Sequence, residues 1–233
     1  MIISRVAEQC GQADYGWLQA RYTFSFGHYF DPDYLGFASL RVLNQEVLSP
    51  KTAFQPRTYP RVDILNILLQ GRAEYRDSNG AHIRADAGDV LLLATQPGIS
   101  YSEHNIDDTT PLTRLQLWLD ACPTRENCPL QRLTLQASGN QLIASPEDTP
   151  NALHLRQQVW IHHVDMKTGE QQTLPLKGNS GYLQSIYGSI RVCGCADESR
   201  DLHCGDGAFI KQEKSLTLQA DSDTRALLID LVV

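Results

Sequence analysis

Apolar positions come in short runs of Val, Ile, Leu and Tyr, broken at close intervals by Gly, Pro and Asn/Asp turns. The 3.6-residue periodicity of amphipathic helices is almost absent. This texture predicts an all-β sandwich or barrel. Ser78-Asn79-Gly80, set between "GRAEYR" and "AHIRA", predicts a hairpin. Lys167 to Glu170 ("KTGE") predicts a second turn, between "QVWIHHVDM" and "QQTLPL".

The pattern occurs twice. "ILNILLQGRAEY" around Gly71 resembles "YLQSIYGSIRV" around Gly188, and "RADAGDVLLL" around Gly88 resembles "LHCGDGAFI" around Gly205. Each glycine pair is 17 residues apart. Each half then closes on a similar strand, "LTRLQLWLD" from Leu112 and "TRALLIDL" from Thr224. Landmarks in the same order at the same offset predict two tandem β-barrels. The expected boundary lies in Cys122–Pro129, which gives domains 1–125 and 126–233.

The chain has 233 residues and a formal net charge of −7, with no Lys/Arg block. That balance argues against direct nucleic-acid binding through phosphate neutralisation. Met1 to Glu8 lacks the basic start and apolar run of a signal peptide. No stretch approaches the roughly 20 apolar residues of a membrane span. The expectation is a cytoplasmic protein without a membrane partner, in which the six cysteines rest reduced.

Two motifs resemble the pirin branch of the cupin superfamily. They are Phe54-Gln55-Pro56-Arg57-Thr58-Tyr59 leading into "ILNILLQGRAEY", and "AGDVLLLATQPGISYSEHN" ending at Asn105. The segment Thr23–Pro50 and the run "LQLWLD" are similar to the same family. The resemblance implies a bicupin of two jelly-roll barrels, with a metal site in the first barrel built from three histidines and a glutamate. It also implies quercetin 2,3-dioxygenase chemistry or, as for nuclear members, a co-regulator role through protein partners. Laid on that pattern, the histidines fall on Arg57, Tyr59 and Tyr101. Only the carboxylate survives, as Glu103.

Arginine offers a metal no lone pair and keeps its charge, and tyrosine ligates only as phenolate. The substitutions therefore predict no metal and no other cofactor. If strand alternation holds, all four side chains point into the barrel. Arg57 is then expected to pair with Glu103, or to hold a small anionic or aromatic ligand together with Tyr59 and Tyr101. Cys193, Cys195, His203 and Cys204 give a weaker alternative, a thiolate-rich zinc site of unusual spacing. A redox role is expected at Cys122, which has Arg125 nearby and Cys128 as a candidate resolving thiol. The expected function is a redox- or small-ligand-responsive binding protein. A metal-dependent dioxygenase and a protein-interaction role are the alternatives.

Overall fold

The computed structural model describes residues 1–196 and 198–233. Two compact units form, one from Gly11–Thr134 and one from Met1–Cys10 with Leu135–Val233. Apart from a three-residue 3-10 turn at Ala7–Gln9, the regular structure of the described residues is β.

The strands run β1 (Ile2–Arg5), β2 (Gly11–Asp14), β3 (Leu18–Tyr22), β4 (Leu40–Leu48), β5 (Ala53–Thr58), β6 (Val62–Gln70), β7 (Arg72–Asp77), β8 (His82–Asp86), β9 (Asp89–Ala94), β10 (Ser100–Asn105), β11 (Leu112–Asp120) and β12 (Leu130–Thr134). They continue as β13 (Gly139–Ser145), β14 (Leu153–His154), β15 (Val159–Met166), β16 (Gln171–Pro175), β17 (Asn179–Tyr187), β18 (Ile190–Cys193), β19 (Ser199–Leu202), β20 (Gly207–Lys211), β21 (Ser215–Ala220) and β22 (Thr224–Val232).

In the Gly11–Thr134 unit, a seven-stranded sheet in the order β12-β9-β6-β11-β4-β3-β2 accompanies a four-stranded sheet, β5-β10-β7-β8. In the other unit the orders are β1-β20-β17-β22-β15-β13-β14 and β16-β21-β18-β19. The two topologies correspond, with β6 matching β17, β9 matching β20 and β11 matching β22, except at the far edge, where β2 pairs antiparallel with β3 but β14 pairs parallel with β13. The repeat read from the sequence is therefore a repeat of structure. Gly71 (φ 82°) and Gly188 (φ 75°) open equivalent turns, as do Gly88 (φ 93°) and Gly205 (φ 90°). These left-handed backbone conformations explain the glycines. At Gly71 a Cβ would also lie 2.5 Å from the Pro111 carbonyl oxygen. Both predicted turns form, with Gly80 and Gly169 at positive φ.

The unit boundaries differ from the expected 1–125 and 126–233. The outer place beside β9 is filled by β12, whose Leu130–Thr134 pairs antiparallel with Leu93–Asp89. The equivalent place beside β20 is filled by β1, with Ile2 opposite Ile210 and Arg5 opposite Gly207. Each barrel needs a strand at that edge. The segment after Pro129 supplies one and the N-terminal segment the other, so the boundary moves to Thr134/Leu135 and Met1–Cys10 joins the later residues.

Both units bury apolar clusters and polar groups. The Leu135–Val233 unit has an aliphatic cluster that includes Leu174, Leu183, Ile190, Val192, Leu216 and Leu218, and it also buries Arg156, His163, Gln184 and Asp230. The Gly11–Thr134 unit has an apolar floor that includes Ile64, Leu68, Leu91, Leu93 and Tyr75. It also buries Glu46, Asn66, Glu103, Arg114 and Gln116. Polar groups taken out of water in such number mark a built site.

Candidate functional site

The register of three strands assembles the site. On β4, Val42, Asn44 and Glu46 share one face by strand alternation. Their partners on β11 are Trp118, Gln116 and Arg114. Gln116 also faces Asn66 on β6. From the four-stranded sheet, Glu103 on β10 lies opposite Tyr75 on β7 and opposite Phe54 on β5.

Arg114 is the centre. Its side chain is fully buried, and each of its five N–H donors finds an acceptor. Nε and Nη2 donate to Glu46 Oε2 at 3.0 and 2.7 Å. Nη1 and Nη2 donate to Glu103 Oε1 and Oε2 at 3.0 and 3.1 Å, a bidentate pair. Nη1 also donates to the Tyr75 hydroxyl at 2.9 Å. Gln116 Nε2 donates to Glu103 Oε1 at 3.2 Å and to Asn66 Oδ1 at 2.9 Å. Trp118 Nε1 donates to Gln116 Oε1 at 3.0 Å, and Asn44 Nδ2 to Glu46 Oε1 at 3.3 Å. Asn44 Oδ1 and Asn66 Nδ2, also buried, make no hydrogen bond within the protein.

Burial works against the guanidinium's charge, yet Glu103, Tyr75 and Glu46 hold the Arg114 pKa well above its ordinary value. Burial pushes the Tyr75 and Tyr59 phenols up, Glu103 adds to this, and Arg114 opposes it. Burial raises Tyr22 to about 12, with Tyr15 and Glu46 adding. The phenols are therefore neutral at physiological pH.

An aromatic cluster adjoins the ion pairs. Tyr59 and Tyr101 have ring centroids 6.0 Å apart, and Tyr59 packs edge-on against Trp118 at 5.2 Å. Tyr101 Oη accepts a hydrogen bond from the Gln96 N–H at 3.3 Å. Tyr59, Tyr101 and Glu103 are each buried.

Arg57 departs from expectation. It is exposed, and its guanidinium stacks on Phe54 at 4.3 Å instead of pairing with Glu103. Two features explain this. Tyr101 pairs with Arg57 but Glu103 pairs with Phe54, so β5 carries one extra residue and the Phe54 ring, on which Arg57 stacks, takes the place opposite Glu103. In addition, both Glu103 oxygens already bond Arg114. The expected Arg57–Glu103 ion pair is therefore corrected to Arg114–Glu103, with Glu46 as the second carboxylate. Arg114 also lies 5.4 Å from the Phe54 ring, so both cations are within cation–π range of one side chain.

These residues do not offer a transition-metal donor set. Arg57 has no lone pair, burial holds the Tyr59 phenol protonated, and Glu103 is engaged through both oxygens by a cation. His104 faces away from Glu103, with Nε2 2.9 Å from Ser102 Oγ. Among the described residues, no group of three or more His, Cys, Asp or Glu is arranged to hold a metal ion. In the cysteine-rich segment, the Cys204 thiol donates to the Ile186 carbonyl at 3.2 Å, and His203 Nδ1 lies 3.0 Å from Ser189 Oγ.

Cys122 is half-buried and Cys128 exposed. Cys122 Sγ lies 3.3 Å from Thr124 Oγ1, while the Cys128 thiol bonds the Leu130 carbonyl at 3.3 Å. Hydrogen bonds from the Thr124 side chain and backbone lower the Cys122 pKa, and the Arg125 charge adds to the effect.

Comparison with known proteins places these features in a family. Residues 3–119 match the family model described as Pirin, and residues 142–231 the one described as the quercetinase C-terminal cupin domain. The chain is 64% identical to the Pirin-like protein YhaK of Escherichia coli strain K12 over 233 residues, the whole of both chains. It is 30% identical to the quercetin 2,3-dioxygenase of the same strain over 237 residues, covering 99% of each. The crystal structure of YhaK from Escherichia coli aligns with a TM-score of 0.83 at 60% identity, over 97% of this chain and 100% of that one. That of the bacterial pirin YhhW in complex with nickel(II), also from Escherichia coli, aligns with a TM-score of 0.92 at 28% identity, over 100% and 99%. With a pirin domain followed by a quercetinase-type cupin domain on one two-barrel frame, the chain belongs to the pirin family of bicupins.

Proposed function

We propose that this protein is a metal-free pirin that acts in the cytoplasm as a redox- or small-ligand-responsive binding protein, rather than as a dioxygenase. One observation carries this reading: Glu103, the surviving carboxylate of the implied metal site, is held through both oxygens by Arg114. A metal-dependent oxygenase needs ligands that donate electron pairs to the ion and leave a position open for substrate. Here the equivalent region is a set of mutually satisfied ion pairs beside neutral phenols.

Two local features support a responsive role. Asn44 Oδ1 and Asn66 Nδ2 are buried polar atoms without protein partners, next to Glu46 and Gln116. A small polar ligand with both a donor and an acceptor would satisfy them. In the connection after β11, the lowered pKa of Cys122 favours the thiolate, the form that peroxide oxidises to sulfenic acid. Its electron pair attacks one peroxide oxygen, the O–O bond breaks, and water or hydroxide leaves.

Elemental analysis of tag-free protein purified without chelators, together with a flavonol turnover assay, tests the metal-free reading. No stoichiometric transition metal and no turnover are expected. Iron, nickel, copper or manganese at one per chain with flavonol cleavage would overturn it. Mild peroxide followed by peptide mass mapping tests the redox role. A sulfenic-acid adduct is expected first on Cys122, and an unmodified Cys122 would refute it.

A further inference from the structure

We propose that the Arg114 guanidinium is the resident cation of the first barrel, and that it, rather than the altered histidine positions alone, excludes a divalent metal ion. The proposal rests on the metal-free reading above and names the group responsible.

Three observations carry it. First, Arg114 sits between two carboxylates on different strands, Glu46 on β4 and Glu103 on β10. A cation bracketed by carboxylates from opposite sides is the arrangement that carboxylates give a hard metal ion. Second, the guanidinium is saturated. Each N–H is used, on Glu46, Glu103 and Tyr75, so no donor is left for a ligand or a water. Third, all four carboxylate oxygens receive donors: Arg114 and Asn44 on Glu46, Arg114 and Gln116 on Glu103. A metal ion seeking Glu103 would have to break a bidentate pair and leave a guanidinium buried beside a second positive charge. Both steps oppose binding however many imidazoles are supplied around it.

Arg114 is therefore a specificity-determining residue for what the barrel holds. Restoring the three histidines that the family pattern implies would not by itself restore a metal site. Removing the guanidinium as well would free Glu103 to ligate, and Glu46 would help offset the ion's charge.

The test uses the full chain and nickel(II) chloride as probe. Three proteins are compared after dialysis against nickel: the wild type, the triple variant Arg57→His/Tyr59→His/Tyr101→His, and that triple variant with Arg114→Met. Bound metal is read by elemental analysis and the shift in melting temperature with nickel by calorimetry. The wild type and the triple variant are expected to retain no nickel and show no shift. The fourfold variant is expected to take up nickel stoichiometrically and to melt higher with it. Nickel on the triple variant would overturn the proposal while leaving the metal-free reading of the wild type intact. Nickel on the wild type would overturn that reading itself. A folded fourfold variant without nickel would also overturn the proposal. If the fourfold variant does not fold, Arg114→Lys in the triple background supplies the second reading. The ammonium keeps the positive charge but loses the paired donors, so nickel should stay out, and nickel uptake there would show that the cation is not what excludes the metal.

Discussion

Replacing Arg114 by methionine keeps much of the side chain's length and removes its charge. Glu46 and Glu103, with side chains only 4% and 3% exposed, would then share a buried space without a cation. Deleting one member of a buried ion pair costs about 3–5 kcal/mol. A second route gives the same size. Keeping one carboxyl neutral at pH 7, from an unfolded pKa of about 4.3, costs about 3.7 kcal/mol at 1.36 kcal/mol per unit. The agreement indicates that the variant folds by taking up a proton, which makes its loss pH-dependent. In the variant, burial next to another carboxyl raises the folded pKa above the unfolded value. Between those two values the folded state holds a proton that the unfolded state releases, so stability falls as pH rises through this window. The deficit relative to wild type should therefore shrink by about 2.7 kcal/mol from pH 7 to pH 5 for one carboxyl. Urea titration followed by tryptophan fluorescence measures it, since Trp17 and Trp118 lie in the same unit as Arg114. Adding Glu46→Gln and Glu103→Gln removes the unpaired charges and should recover most of the loss. A deficit below about 1 kcal/mol, the size of an exposed pair, would refute the reasoning. So would a deficit that is equal at both pH values.

Arg57→Ala should cost only about 0.5–1 kcal/mol, the worth of an exposed cation–π contact, because Arg57 stacks on Phe54 and does not hold Glu103; a loss as large as that of Arg114→Met in the same urea titration would restore the Arg57–Glu103 pairing. The rate of Cys122 alkylation against pH should have its midpoint below the ordinary thiol value of 9.0, and Thr124→Val should move it upward; an unshifted profile in the variant would remove Thr124 as the cause. His163 is buried, and burial, aided by Arg225 and opposed by Asp165, holds its pKa below the ordinary 6.5. The unfolded chain then binds the proton more readily, so the contribution of neutral His163 is complete above about pH 6.5 and is lost as pH falls below it. His163→Gln should flatten the fall in melting temperature between pH 7.5 and pH 5.5, and an unchanged slope would contradict this.

The two-barrel architecture was legible because its signals were local. A glycine at positive φ tolerates few replacements, so Gly71, Gly88, Gly188 and Gly205 survive in both copies as landmarks at fixed spacing. The boundary was not legible. Which segment completes an edge depends on pairing between residues far apart in sequence, such as Ile2 with Ile210, and an edge strand carries no mark of its partner. The four inward positions were read from alternation. That served for Tyr101 and Glu103 on β10 but not for the pairing across to β5, where one extra residue puts Phe54 opposite Glu103 and leaves Arg57, opposite Tyr101, stacked on the Phe54 ring and exposed.

Arg114 and Glu46 were missed for a different reason. In "LTRLQLWLD" and "LRVLNQEVL" charges and amides interrupt apolar runs, and alternation puts Arg114, Gln116 and Trp118 on one face of β11 and Asn44 and Glu46 on one face of β4. Opposite charges at inward positions of two strands are a readable signal. It becomes a contact only once the register places Arg114 against Glu46. On the metal-free reading, this bears on how the barrel would come to differ from that of the nickel-bound bacterial pirin YhhW. Simple loss of three imidazoles would leave Glu103 buried and alone, a state that costs several kcal/mol. A guanidinium with only Glu103 would offset that charge but leave part of its own donor set unmet. With Glu46 as a second carboxylate, Tyr75 as a neutral acceptor, Asn44 donating to Glu46 and Gln116 to Glu103, no carboxylate oxygen and no guanidinium N–H is left over. On the metal-free reading proposed above, a set matched across four strands stands in for an ion. Its members should therefore behave as a unit: in double-mutant cycles, Arg114→Met combined with Glu103→Gln should cost less than the sum of the single changes.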